Sequence, residues 1–101
     1  MKTGIVFTTT AQAVSSVTVS PSTATVSKGQ SLELSAVVVT TGFANKAVYW
    51  SVDANSYADG VRISDAGKLF VPSDATVETI TVTATSIYDN TVSGTSTVTV
   101  A

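Results

Sequence analysis

The chain has 101 residues, 44% of them hydrophobic and 12% charged, with five basic and seven acidic side chains and neither histidine nor cysteine. One domain of this length can bury enough surface to fold without disulfides or a structural metal. The missing imidazole and thiol exclude a Ser-His-Asp triad, a thiolate nucleophile, a zinc site of the usual kind and covalently attached haem. A net charge of −2 supplies no basic field for phosphate, so no nucleic-acid partner is expected.

Thr and Ser are abundant and Val is the commonest apolar residue, a composition that suits half-buried strands. Residues 1–13 carry no Pro and no acidic residue and precede the first clean alternation, which predicts an extended N-terminal arm. Lys2, the apolar run Ile5-Val6-Phe7 and the triplet Ala11-Gln12-Ala13 imitate a signal peptide, but Thr8-Thr9-Thr10 interrupts after only three strongly apolar residues. From Val14 the pattern becomes regular. Val17-Thr18-Val19 alternates until Pro21, which cannot donate to a ladder, and Thr23 to Val26 follows as a short edge segment closed by Lys28-Gly29-Gln30.

Ser31 to Thr41 is the longest β-rich run, with Leu32, Leu34, Ala36 and Val38 on the face turned to the core. After a loop around Gly42, Phe43 and Asn45, Ala47 to Val52 places Val48, Trp50 and Val52 on one face and Tyr49 and Ser51 on the other. Asp53 to Gly60 reads as turn. Val61 to Ser64 and Lys68 to Val71 then form a hairpin through Asp65-Ala66-Gly67. Val77 to Ser86 sets Ile80, Val82 and Ala84 against a row of threonines, and Thr91 to Val100 turns Val98 and Val100 inward after the turn Tyr88-Asp89-Asn90. Short strands between turn signals, with no helical period, predict an all-β fold: an antiparallel sandwich over residues 14–101 whose core joins Leu32, Leu34, Trp50, Ile80, Val82 and Val98. No run of apolar residues is long enough to span a membrane, so no membrane partner is expected.

The run from Val17 to Val37, with Pro21 and Lys28-Gly29-Gln30 inside it, resembles the opening of bacterial immunoglobulin-like domains of group two. Val48-Tyr49-Trp50-Ser51 is similar to that family's central tryptophan strand, Ile63 to Leu69 to its glycine hairpin, and Thr79 to Thr85 to its penultimate strand. The segment Asp53 to Gly60 departs from the short turn of the family. The resemblance implies an immunoglobulin-like sandwich of about seven strands. It also implies a place in bacterial surface proteins or in the virions of tailed phages, as spacer, adhesive module or decoration, with no catalytic residues to transfer.

Candidate sites are few. Asp53, Asn55 and Asp59 alternate as calcium ligands would, but Tyr57, Ala58 and Ser64 stand where a calcium loop needs a ligand, a glycine and a bidentate glutamate, so no metal site is expected. Glu33 and Glu78 fall on outward positions without a polar cluster, and no motif activates a serine, which leaves no catalytic residue and no cofactor site. Trp50 reads as core rather than as a sugar platform. Lys46 lacks the burial that an isopeptide bond would require. If the strands alternate up and down, Phe43, Asp65, Tyr88, Asp89 and Asn90 gather at one tip. That tip is either an adhesive surface or, with both rings turned inward, a cap on the core.

The expected role is that of a non-catalytic virion decoration or accessory protein on head or tail. Ile5, Val6 and Phe7 of the arm would dock it to other capsid or tail proteins by strand addition or in a groove. Many copies on one particle would then make weak contacts with host surface or glycans. A start at Met without a workable export signal favours that setting over a spacer or adhesion module at the bacterial cell surface.

Overall fold

The computed structural model describes residues 12–101. Ile5, Val6 and Phe7 of the expected arm lie outside the described residues. The described chain is all-β apart from one short helix, and its nine strands form three hydrogen-bonded sheets.

The first run breaks where proline predicts. β1 (Ala13–Ser20) ends at a cis Ser20–Pro21 bond, and β2 (Thr23–Val26) resumes beyond it on a different sheet. The long run expected from Ser31 to Thr41 is divided at Leu34 into β3 (Ser31–Glu33) and β4 (Ser35–Thr41). The cause is a change of partner. Ser35 to Thr41 pairs antiparallel with β1, whereas Ser31 to Glu33 pairs with β7 (Lys68–Phe70), and at the junction the Leu34 N–H donates to the Gly67 carbonyl at 2.9 Å. The side-chain alternation survives the break: Leu34 is buried and Leu32, Ala36 and Val38 are half-buried. β6 (Arg62–Ile63) completes the three-stranded sheet in the order β3-β7-β6 through the expected Asp65–Gly67 hairpin.

The other layer is the four-stranded sheet β2-β9-β8-β5, built from β5 (Val48–Val52), β8 (Thr79–Ser86) and β9 (Ser93–Val100). β8 pairs antiparallel with both neighbours, but β2 runs parallel to β9, a departure from a wholly antiparallel design. Parallel pairing follows from the interruption at Pro21: β2 continues in the direction of β1 while changing layer. The inner face carries Ile80, Val82, Ala84 and Val98, all without accessible surface. Opposite them lie Val17, Val19, Leu34 and Leu69, and Trp50 is buried among them at 8% exposure. Burying each large aliphatic side chain contributes roughly 1.5 to 3 kcal/mol, which makes this inner layer the main source of stability.

One helix was not expected. α1 (Ala54–Ala58) occupies the segment read as turn, because Asp53 is a helix N-cap. Its carboxylate accepts from the Ser56 N–H at 3.1 Å and the Ser56 hydroxyl at 2.7 Å, and its Oδ1 also accepts from the Thr81 N–H of β8 at 2.9 Å. One side chain thus caps a helix and ties it to the sheet. Burial alone would raise its pKa, but the bonds from the Ser56 hydroxyl and the Thr81 and Ser56 amides outweigh it and hold the carboxyl below the ordinary range. A depressed folded value means that the stability Asp53 lends is present above the unfolded value of about 4 and is lost as pH falls through the folded one. Asp53→Ala is expected to destabilise the domain by about 1 to 3 kcal/mol at pH 7. Asp53→Asn should flatten the acid side of the stability profile, read as the urea midpoint between pH 7 and pH 2.5; an unchanged profile would remove this role. Asp59 and Asp89 are lowered by hydrogen bonds in the same sense, so the flattening is partial.

Candidate interaction surface

The register fixes which loops share an end. Ala13 lies opposite Thr41, Val48 opposite Ser86 and Ser93 opposite Thr85. The connection Gly42 to Ala47 and the turn Ile87 to Thr91 therefore meet, and the Ile87 N–H donates to the Ala47 carbonyl at 3.0 Å. The start of β1 belongs to this end too, since the Tyr88 hydroxyl lies 3.5 Å from the Gln12 carbonyl oxygen.

Of the two readings of the aromatics, capping of the core is the one the structure overturns for Phe43, whose side chain is 93% exposed. Its neighbour Ala44 takes the buried position instead. Consecutive residues of an extended loop point to opposite sides, and the site that closes the core accepts a methyl group. Tyr88 is 45% exposed, and Ile87 beside it is 60% exposed. Ile87 was absent from the sequence-based set although parity could have found it: Ile80, Val82, Ala84 and Ser86 face inward, so residue 87 must face out.

Asp89 shapes the turn. Its Oδ1 accepts from the Thr91 hydroxyl at 2.6 Å and the Thr91 N–H at 3.1 Å, while its own N–H donates to the buried Ser86 hydroxyl at 3.0 Å. The two bonds from Thr91 hold its carboxyl below the usual range and occupy the oxygen that would otherwise meet a ligand. Asn90 is exposed at the crest of the same turn. Asp65 is not part of the tip. Its hairpin abuts Leu34 through Gly67, seven residues before Thr41, which is about 23 Å of strand from the end where Phe43 stands. The expectation that all three loops gather rested on strands alternating up and down, whereas β6 and β7 are short and pair only with the lower part of the long run.

The other candidate residues fall where no chemistry is assembled. Lys46 and Glu33 are exposed, and Glu78 is exposed just before β8 rather than within it. Among the described residues, no cluster of three or more acidic side chains is close enough to hold a metal, and every buried side-chain polar atom has a hydrogen-bond partner. No helix among them is long and apolar enough to cross a membrane.

Truncating the exposed ring tests what it does. Phe43→Ala should leave the urea midpoint unchanged to within about 0.5 kcal/mol, the range of surface substitutions away from special features. Tyr88→Ala should cost up to about 1 kcal/mol, because its ring is half covered. A large loss at Phe43 would restore the capping role. Compared with known proteins, the chain matches no family model and no curated protein.

Proposed function

We propose that this chain is a non-catalytic structural and interaction module with an immunoglobulin-like sandwich, acting as a decoration or accessory component of a phage virion. The strand order supports the fold reading. If β1 and β2 count as one strand interrupted at Pro21, and β3 and β4 as one interrupted at Leu34, nine segments become seven. The layer β1-β4/β3-β7-β6 then faces the layer β2-β9-β8-β5, with the first and second of the seven strands each continuous in sequence across its break. The resemblance of Val17 to Val37 and of the Trp50 strand to group-two bacterial immunoglobulin-like domains supplies the virion setting.

The observation that carries the interaction reading is the shared end. Phe43, Ile87 and Tyr88 expose their apolar surface where the chain enters β1 at Gln12. Residues 1–11 lead into this end in sequence, so the arm would dock by strand addition to a neighbouring subunit of the capsid or tail, with the aromatic tip beside the junction. The opposite end, with α1 and the turn at Lys28-Gly29, projects outward. Host glycans would then meet the threonine-covered outer face of the four-stranded sheet, where many copies compensate for weak contacts.

Incorporation into phage particles tests the reading. The full chain should co-purify with particles; deletion of residues 1–13 should abolish incorporation while the thermal midpoint changes little. Phe43→Ala should weaken incorporation without loss of fold. A deleted chain incorporated as well as the full one, or a full chain absent from particles and found at the cell surface, would overturn the proposal.

A further inference from the structure

Among the described residues, both layers end without a backbone partner on the same side of the molecule. β5 is the last strand of the four-stranded sheet and β6 the last of the three-stranded one. The direction of β5's backbone groups can be read from its flanks. The Ala47 carbonyl accepts from the Ile87 N–H, and the Asp53 N–H donates to the Thr81 carbonyl at 3.1 Å, so the odd-numbered residues bond toward β8. The N–H and C=O groups of Val48, Trp50 and Val52 point away from the sheet.

Edges of this kind are usually blunted by lysine, proline, a charge or a bulge. Val48 to Val52 has none of these, and its register with β8 is unbroken over five pairs. Beside it, between β5 and β6, runs a groove of about 290 Å³ lined by Tyr49, Trp50, Tyr57, Val61 and Ile63. Arg62 bounds it, with its guanidinium 3.9 Å over the Tyr57 ring and donating to the Tyr57 carbonyl at 2.8 Å.

We propose that this edge accepts residues Thr3 to Phe7 from a second copy of the chain as an added strand, with Ile5 and Phe7 entering the groove and Val6 facing outward. The inference rests on the reading that the leading segment docks by strand pairing, and it names the acceptor. Ile5 and Phe7 are two residues apart and so fall on one face of a strand. The donated stretch matches the acceptor at five residues, and the segment contains no acidic group to desolvate. A second copy is proposed as the donor because β1, from which the segment departs, packs across β9 and β8, whereas the open side of β5 is the far edge of that sheet; the deletion variant distinguishes donation within one chain.

Self-association of the purified full chain, followed by sedimentation over a wide concentration range, tests this without particles. Association is expected to be concentration-dependent. Deleting residues 1–11 should abolish it with little change in the thermal midpoint. Tyr49→Lys, which alters an exposed side chain and no bond to β8, should weaken it about tenfold or more, as should Val48→Pro, which removes an outward N–H. A full chain that stays monomeric at every concentration, or association that survives both edge variants, would overturn the proposal. So would a monomer whose midpoint falls on deletion, since the segment would then lie on its own chain. A monomeric chain that still enters particles would overturn the edge pairing and leave the virion reading standing.

Discussion

Gly67→Ala is expected to lower the unfolding free energy by about 3 to 5 kcal/mol, the sum of a strained backbone and an overfilled core. Gly67 closes the hairpin between β6 and β7 with φ at +84°, a conformation that costs any residue with a Cβ. The added atom would also stand 2.5 Å from the Leu34 carbonyl oxygen and 2.9 Å from Cζ2 of Trp50. Neither neighbour can yield. Leu34 is held at the division of the long strand by its own N–H bond to the Gly67 carbonyl, and the indole is packed in the core. Relief would require the hairpin to lift, and that would uncover Leu69, which has no accessible surface. Since domains of this kind are stable by about 5 to 15 kcal/mol, the variant should unfold at a much lower urea concentration or fail to accumulate. An equilibrium urea curve within 1 kcal/mol of the parent would show that the hairpin is not seated on the indole. The Trp50 fluorescence maximum offers an independent check, because a lifted hairpin admits water to the ring.

The layers of the fold were legible in the sequence because period-two alternation is a local property. Val17 and Val19, Leu32 and Leu34, and Ile80, Val82 and Ala84 announce their faces without knowledge of their partners. What escaped depends on partners. Leu34 carries no breaking residue, yet the strand divides there because its two halves meet β1 and β7, which are distant in sequence. β2 reads as an edge, but nothing in Thr23 to Val26 says that it runs parallel to β9. α1 is five residues long, too short to show a period, and its signal lay in Asp53 with Ser56 three positions on, residues that equally suit a turn.

The candidate surface was legible in part for the same reason. Exposed aromatics in loops can be suspected from sequence, whereas their company cannot. The neighbourhood of Tyr88 and Gln12 joins residues 76 positions apart. This contact places the aromatic tip at the end where β1 begins, and so sets the direction in which the chain is proposed to point. Asp65 lies away from it, because two short strands hold its hairpin against the flank.

A second large effect is expected at Gly94, where the reason lies in the contact between two sheets rather than in the turn. Gly94 is paired with Ala84 inside β9, and its backbone is not in the left-handed region, so local conformation does not demand glycine. The demand is spatial. A Cβ built there would overlap the Val17 carbonyl oxygen and stand 2.9 Å from the Val17 carbonyl carbon and 3.4 Å from Cα of Thr18. All three are backbone atoms of β1, which belongs to the facing layer. A side chain could rotate away from such an intrusion, but a strand bonded along its length to β4 must move as a unit. Gly94→Ala should therefore separate β1 from β9, loosening Val17 and Val19 together, at about 2 to 4 kcal/mol. Gly94→Val should be worse. Because β1 is the strand displaced, amide exchange in β1 should rise more than in β5 or β8. Uniform exchange across β1, β5 and β8, or full stability in Gly94→Ala, would show that the layers tolerate more space between β1 and β9 than this close approach implies.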